Sequence, residues 1–240
     1  MVTKSAPYYR ANTKSAMKHW LTSIIAAVVL GISMAQAQPI DLMKTTLQPV
    51  NVSSLTNEIM GRNAVRVTKD PAIKAFDEAT FVKLVGTDFT NGTIEVEVLS
   101  RLLQDAPDFA RGFIGVAFRI NEANSRFESF YVRPTNGRAE DQSRRNGATQ
   151  YFSYPDFKFD RLRKEAPGKY ESYADMTLNE WIAMKIVVQD DKAKLYLNGS
   201  AHPVLVVNDL KHGANSSGAI GLWVDVGTEG YFSNLRVYPQ

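Results

Sequence analysis

Two glutamates, Glu95 and Glu97, occupy alternate positions in the segment GTIEVEVLS (92–100). Because alternate side chains of a β-strand point to the same face, the two carboxyls would share one face and the apolar residues between them the other. Two carboxyls flanking a scissile bond are the groups that hydrolyse a glycoside, so Glu95 and Glu97 are candidate catalytic residues. The pair also fits a solvated charge ladder between strands, worth roughly a few tenths of a kcal/mol per pair. The spacing leaves both interpretations open.

A second group of polar side chains alternates with apolar ones in the next two apolar segments, residues 112–120 and 127–134. Arg119, Tyr131 and Arg133 fall on the face opposite the apolar set. Aromatic rings stack on the apolar faces of sugar rings, and charged groups bind sugar hydroxyls. We therefore predict that these three residues, together with the two glutamates, line the floor of a concave sugar-binding groove.

The connection over residues 134–180 is too long for a plain loop and is rich in aromatic and arginine residues. Aromatic content argues against disorder, and recognition surfaces favour tyrosine and arginine. We predict that this segment forms a wall of the groove through six ligand-facing residues: Gln150, Tyr151, Arg161, Arg163, Tyr170 and Glu171. Two more arginines, Arg144 and Arg145, would make the groove cationic and suit an acidic or oxidised sugar. The phenylalanines of residues 152–159 could instead form a small core beneath the segment.

Short stretches of alternating apolar and polar residues, separated by turn residues, run from Asn63 to the end of the chain. This pattern is typical of antiparallel strands with one buried face. It predicts eleven strands, at residues 64–68, 80–86, 92–100, 112–120, 127–134, 148–153, 181–189, 193–199, 203–209, 219–225 and 231–237. With almost no helical periodicity, the chain is predicted to be an all-β protein made of two stacked antiparallel sheets.

The closing part of the chain carries a resemblance to a known superfamily. Its motifs are, in order, the Trp-led strand EWIAMKIVVQ, the strand KLYLNG that ends in Asn-Gly, the strand SGAIGLWV and the strand FSNLRVY. Over roughly residues 61–238 the sequence resembles concanavalin A-like lectin/glucanase domains, nearest to laminin-G-like modules and to the domain named after 3-keto-disaccharide hydrolases. The resemblance implies a jelly-roll sandwich of two curved antiparallel sheets. It leaves function open, because the superfamily holds lectins, glycosidases, lyases and adhesion modules.

The resemblance to glucanases is incomplete at the candidate catalytic strand. Glucanases of this superfamily carry Glu-x-Asp-x-Glu, whereas the corresponding run here is Glu95-x-Glu97-x-Leu99. Three hypotheses therefore stand. The first is a carbohydrate-binding domain that recognises a glycan, an oligo- or polysaccharide, in the concave groove without catalysis. The alternatives are a glycoside hydrolase or sugar lyase of the 3-keto-disaccharide hydrolase type, which would use Glu95 or Glu97, and an adhesion module that binds protein.

Residues 1–37 read as a secretory signal sequence, because a basic stretch precedes an apolar run that ends in Ala35-Gln36-Ala37. The apolar run of 15 residues, from Trp20 to Met34, is short of the roughly twenty that span a bilayer. We predict cleavage of this signal and a secreted or periplasmic protein with no membrane span in the mature chain. The remainder is predicted to consist of an irregular lead-in at 38–60 and one jelly-roll domain at 61–240.

Charge and residue content limit the partners and cofactors. Residues 1–37 hold four of the 28 Lys and Arg and none of the 25 Asp and Glu, so the rest of the chain is nearly neutral. This gives no support for nucleic-acid binding, which is typical of strongly basic domains. The chain has no cysteine, which excludes disulfides and thiolate chemistry. We predict no cofactor, with calcium at Asp88, Asp209 or Asp225 as an open alternative.

Overall fold

The computed structural model describes residues 38–240, and the predicted signal sequence, residues 1–37, lies outside this range. Almost all of the regular structure is β-strand. In chain order the elements are β1 (Gln38–Pro39), β2 (Leu47–Val50), β3 (Val52–Ile59), β4 (Arg62–Lys69), β5 (Phe81–Leu84), β6 (Gly92–Leu102), β7 (Ile114–Ile120), β8 (Phe127–Val132), α1 (Pro134–Gly137), α2 (Gln142–Asn146), β9 (Thr149–Tyr154), α3 (Phe159–Glu165), β10 (Glu171–Ser172), β11 (Ile182–Gln189), β12 (Lys192–Leu197), β13 (Leu205–Val207), β14 (Ala219–Val224) and β15 (Thr228–Pro239).

The strands form two antiparallel sheets. The eight-stranded sheet has the order β13-β12-β11-β6-β15-β4-β3, with β1 paired to β15. The seven-stranded sheet has the order β10-β9-β8-β7-β14-β5-β2. Strands that follow each other in sequence often lie in different sheets, as β5, β6 and β7 do. The predicted fold class, an all-β sandwich of two antiparallel sheets, is confirmed.

All eleven predicted strands are present, and their apolar faces form the core between the sheets. Ile94, Val96 and Val98 of β6 face this core from the eight-stranded sheet, and Val116 and Phe130 face it from the other. All five side chains are at most 2% exposed. For β6, β7 and β8 the period-two alternation therefore predicts correctly which face packs against the core between the sheets.

The prediction of an irregular lead-in at residues 38–60 is wrong. This segment forms β1, β2 and β3. β2 is the edge strand next to β5 in the seven-stranded sheet, and β3 is the edge strand next to β4 in the eight-stranded sheet. Edge strands bury little, and most residues of β3 are exposed or only partly buried. Because the apolar alternation that reveals a half-buried strand is weak in such a segment, the sequence pattern does not show it.

The outer face of the seven-stranded sheet carries a layer of buried aromatic side chains. Trp223 of β14 and Tyr131 of β8 have ring centroids 4.8 Å apart, although β7 lies between their strands. Gly115 of β7 is in register between them, and a Cβ at this position would lie 2.1 Å from the carbonyl oxygen of Phe130. The missing side chain lets the two rings meet across the central strand. Phe152 continues the layer, 5.3 Å from Trp223.

The 134–180 segment forms a second layer over part of this aromatic face. It contains the three helices, and it returns to the sheet through β9, which pairs with β8, and β10, which pairs with β9. β7, β8 and β9 are consequently buried on both faces. Within residues 38–240 no helix is long and apolar enough to cross a membrane.

Candidate functional site

A cleft of about 1010 Å³ opens at the end of the aromatic layer, where β8 ends. We call it the β8 cleft. Its walls come from the loops before β5 and β7, the turn after β14, and the helices and β10 of the 134–180 segment. It is lined by Lys74, Phe76, Asp77, Phe109, Arg111, Phe113, Tyr131, Arg133, Asn136, Ser143, Arg144, Asn146, Gly147, Phe159, Arg163, Pro167, Gly168, Glu171 and Asp225.

Tyr131 and Arg133 lie at the base of the β8 cleft and are buried. The Arg133 guanidinium donates to the Tyr131 hydroxyl at 2.8 Å and to Gln150 Oε1 at 3.0 Å. It also donates to the carbonyl oxygen of Gly147 at 2.9 Å and to Glu171 Oε1 at 3.4 Å. Burial raises the pKa of Tyr131 well above its usual value, so this side chain is a neutral phenol. The two residues form a rigid polar base with little freedom to rearrange.

The rim of the cleft carries positive charges that lack a carboxylate partner. Within residues 38–240, Lys74, Arg111 and Arg144 form no salt bridge. Among the described residues, Arg111 donates only to the carbonyl oxygens of Asp108, at 2.6 Å, and Ala110, at 2.8 Å. Burial, together with the charges of Arg144 and Arg133, lowers the pKa of Arg111. An anion bound here would relieve this repulsion.

Two exposed aromatic side chains stand beside these cations. Phe76 is 38% and Phe109 51% exposed, and their rings pack edge to face with centroids 5.6 Å apart. Phe76 also contacts Phe159 of α3, with ring centroids 6.1 Å apart. Exposed rings that are already fixed by packing are suited to stack on the apolar face of a ligand at little entropic cost.

Two buried aspartates line the cleft, Asp77 in the loop before β5 and Asp225 directly after β14. Asp225, after β14, accepts from the buried ammonium of Lys69 at the end of β4, and from the backbone N–H of Asp77 at 3.0 Å. Asp77 Oδ2 accepts from the backbone N–H of Phe159 at 2.7 Å. Burial, followed by the charge of Asp225, raises the pKa of Asp77 to about 7. One carboxyl lining the cleft therefore changes charge near neutral pH.

Five of the residues predicted to bind ligand line the same cleft. They are Tyr131, Arg133, Arg144, Arg163 and Glu171. Tyr131 and Arg133 come from β8, and the other three come from the 134–180 segment. Arg163 of α3 donates to both carboxylate oxygens of Glu171, which leaves Glu171 held between two arginines. The structure thus brings the predicted floor and the predicted wall together at these positions.

The prediction that Gln150, Tyr151 and Tyr170 face a ligand is wrong, because all three are buried. Gln150 binds the Arg133 guanidinium and two backbone carbonyls. The hydroxyl of Tyr151 donates to buried Glu128, and that of Tyr170 donates to Asp209. Their polar groups are satisfied inside the protein, so these tyrosines are core residues with internal partners.

Three of the predicted arginines also lie outside the cleft. Arg119 is 1% exposed and donates to the carbonyl oxygens of Thr90, Gly213 and Asp190, so it holds loops together at the far end of β7. Arg145 donates to the hydroxyl of Tyr173 at 3.1 Å. Arg161 forms an exposed i,i+4 pair with Glu165.

The prediction that Glu95 and Glu97 share a surface with Tyr131 is wrong, because β6 belongs to the eight-stranded sheet. Both glutamates lie on the outer face of that sheet, in a separate depression of about 390 Å³. Glu95 pairs in register with Lys185 on one side and Arg236 on the other. This arrangement matches the alternative interpretation, a cross-strand ladder of charges.

Several residues of the cleft were not predicted from the sequence. They lie in the connections between strands, in the stretches KDPAIKAFDEAT (69–80) and LQDAPDFARGF (103–113). In the sequence, the only feature that marks these stretches is an aromatic residue beside charged residues in a loop. Strand alternation does not call for an aromatic residue at such a position. They are Lys74, Phe76, Asp77, Phe109 and Arg111, and Asp225 is predicted above only as a candidate calcium ligand.

No cluster of three or more His, Asp or Glu side chains that could hold a metal ion occurs in the described part of the chain. Of the three aspartates considered for calcium, Asp225 is ion-paired with Lys69, and Asp209 is ion-paired with Lys169 and Lys211. Lysine partners compete directly with a cation for the same carboxylate oxygens.

Known structures share the fold. The chain matches the carbohydrate-binding module CBM66 from Bacillus subtilis with a TM-score of 0.53 and 15% identity, covering 80% of this chain and 94% of that one. The chain shares the two-sheet jelly-roll fold of this module. A protein of unknown function with a galectin-like fold, also from Bacillus subtilis, matches with a TM-score of 0.49 and 9% identity over 82% of this chain and 90% of that one. No family model and no curated protein matches the sequence. At these identities the jelly roll establishes the architecture and leaves the ligand to be argued from the β8 cleft.

Proposed function

We propose that this protein binds an oligosaccharide in the β8 cleft. The observation that carries the proposal is the juxtaposition of the exposed ring pair Phe76 and Phe109 with the unpaired rim cation Arg111, at one cleft within residues 38–240. Sugars present an apolar face for stacking and hydroxyls for hydrogen bonds, so they need both kinds of group side by side. The fold supports the proposal, because the matched module CBM66 is named for carbohydrate binding.

We propose further that the preferred glycan is acidic. The cleft is lined by five cationic side chains and only three carboxyls. Two of the arginines, Arg133 and Arg163, are already engaged by Glu171, while Asp77 is partly protonated near pH 7. The positive charge that is left over sits at the rim, on Lys74, Arg111 and Arg144. A uronate carboxylate or a sulfate group on the sugar would meet this charge.

Replacing Phe109 by Ala is expected to weaken glycan binding about tenfold, because the substitution removes one ring of the stacking pair. Isothermal titration with the oligosaccharide that binds the wild type best measures the change. Leu55→Ala is the matched control, since Leu55 is also about half exposed but lies on β3 of the other sheet. Equal affinities for Phe109→Ala and the wild type would place the glycan elsewhere.

Replacing Arg111 by Gln is expected to weaken binding of an acidic oligosaccharide roughly 10- to 100-fold, because a charge-assisted hydrogen bond is lost. Binding of the neutral, carboxyl-reduced form of the same oligosaccharide should change less than about threefold. The control is Arg101→Gln, which alters an arginine of the eight-stranded sheet that donates to Asn179. A similar loss for the acidic and the reduced glycan would contradict the preference for acidic sugars.

We also propose that the protein is exported and is cleaved after Ala37. The pattern of residues 1–37 supports this, because a basic stretch precedes an apolar run that ends in Ala35-Gln36-Ala37. Mass spectrometry of the protein recovered from the periplasm or the medium tests the proposal. A mature N-terminus at Gln38 would support export, and retention of residues 1–37 in the cytoplasm would contradict it.

A further inference from the structure

Asp77 is the most unusual carboxyl of the β8 cleft. It is 1% exposed, yet it contributes to the lining of the cleft. Oδ2 accepts from the Phe159 N–H, whereas Oδ1 accepts no hydrogen bond from any of residues 38–240. The backbone of Asp77 has φ = 49°, in the left-handed region that non-glycine residues rarely adopt. A strained backbone that presents one open carboxyl oxygen to a cleft is typical of a functional site.

The neighbours of Asp77 hold it in place and set its protonation. Asp225 accepts from its N–H, and Lys69 binds Asp225 in turn. The charged and titratable groups that face Asp77 are Asp225 from the turn after β14, Tyr131 and Arg133 from the end of β8, Lys158 just before α3 and Arg163 of α3. The burial of Asp77 and the negative charge of Asp225 outweigh these cations, which keeps Asp77 protonated in a large fraction of molecules at neutral pH.

We propose that Asp77 is the proton donor in hydrolytic cleavage of the glycosidic bond of the glycan bound in the β8 cleft. This inference rests on the proposed glycan binding and adds a catalytic activity to it. The proposed acid is therefore Asp77 and neither Glu95 nor Glu97, which lie on the opposite side of the sandwich. A buried carboxylic acid that stays protonated near pH 7 is the group that general-acid catalysis of glycoside cleavage requires.

The step balances with water as the only other reactant. The Asp77 carboxyl gives its proton to the glycosidic oxygen while the bond from that oxygen to the anomeric carbon breaks. The oxygen of a water molecule then bonds to the anomeric carbon, and this water gives one proton to the Asp77 carboxylate. One water is consumed for each bond broken, and Asp77 returns to its protonated form.

The test compares binding and cleavage in the same protein. Wild type, Asp77→Asn and Glu97→Gln are incubated in ¹⁸O-labelled water with oligogalacturonate, oligoalginate, xylo-oligosaccharides and cello-oligosaccharides. New reducing ends and the ¹⁸O content of the products are measured by mass spectrometry, and affinity by titration calorimetry. Asp77→Asn keeps the side-chain oxygen that accepts from the Phe159 N–H, so the cleft should keep its shape.

The wild type is expected to release reducing ends that carry one ¹⁸O, at a rate that falls about tenfold per pH unit above about pH 7. Asp77→Asn should lose at least about 100-fold in rate while its affinity changes less than about threefold, and Glu97→Gln should keep the wild-type rate. The pH profile separates proton donation from a structural role of Asp77.

Three results would overturn the inference. They are a bound glycan that the wild type never cleaves, an Asp77→Asn variant that cleaves at the wild-type rate, and unsaturated products without ¹⁸O, which would indicate elimination. If the wild type binds no glycan, the proposed function itself fails. Binding without cleavage refutes only the role of Asp77.

Discussion

Replacing Lys69 by Met is expected to lower the free energy of unfolding by about 3 to 5 kcal/mol at pH 7.5. The side chains of Lys69 and Asp225 are 4% and 3% exposed, and their ion pair ties the end of β4 in one sheet to the turn after β14 in the other. The lysine also donates to the carbonyl oxygen of Ala75 at 2.6 Å. Removing it leaves the Asp225 carboxylate buried without its countercharge, which costs more than the pair itself contributes.

Urea denaturation of the wild type and of Lys69→Met measures this loss. Lys44→Met is the control, because Lys44 forms an ion pair with Asp41 in which the lysine is 86% exposed, and its loss should leave the free energy of unfolding nearly unchanged. In the double variant Lys69→Met, Asp225→Asn neither charge of the pair is left buried, so part of the stability should return. A loss below about 1 kcal/mol in Lys69→Met would show that Asp225 is not held as the structure has it.

Replacing Asp77 by Asn is expected to stabilise the protein at pH 8 and to leave its stability unchanged at pH 4. The pKa of Asp77 is raised from an ordinary 3.8 to about 7 in the folded state. Between these values the folded protein binds a proton that the unfolded chain has released, so wild-type stability falls as the pH rises. Below about pH 4 Asp77 is protonated in the folded and in the unfolded protein. Above about pH 7 it is ionised in both, and the buried carboxylate then destabilises the folded protein to its full extent.

The difference between Asp77→Asn and the wild type should therefore grow from pH 4 to pH 7 and then level off. Its size is on the order of 4 kcal/mol, at 1.36 kcal/mol for each pKa unit. Urea titrations at several pH values measure it, and Asp88→Asn serves as a control in the loop after β5. A stability difference that stays constant across the pH range would mean that Asp77 does not titrate near neutrality.

The strand positions and their buried faces could be predicted, whereas the partner of each strand could not. Alternation in β6 shows that Ile94 is buried and Glu95 is not, because burial of one face is a local property of the strand. The assignment of β6 to a sheet depends on pairing with β11 and β15, which lie about a hundred residues later in the chain. Nothing in residues 92–100 encodes that choice.

The sequence predicts only part of the candidate site, because alternation reports on a single strand and not on which distant residues lie beside it. Alternation along β8 separates Tyr131 and Arg133 from the core side and so identifies both as site candidates. For Tyr151 and Tyr170, residue type indicates that each hydroxyl needs a polar partner, but it does not indicate where that partner lies. Their partners, Glu128 and Asp209, lie more than 20 residues away and satisfy them internally. Loop residues such as Asp77 have no periodicity at all, so only the fold brings them to the cleft.

The most direct test of glycan binding in the β8 cleft is a crystal structure of the protein soaked with a mixture of acidic and neutral oligosaccharides. We expect density for a sugar ring against Phe76 and Phe109, with an acidic group of the sugar within hydrogen-bonding distance of Arg111 or Arg144. The same crystals also test a second possible binding site, the depression at Glu95 and Glu97 on the opposite sheet. Sugar density in that depression, with the β8 cleft empty, would contradict the central claim.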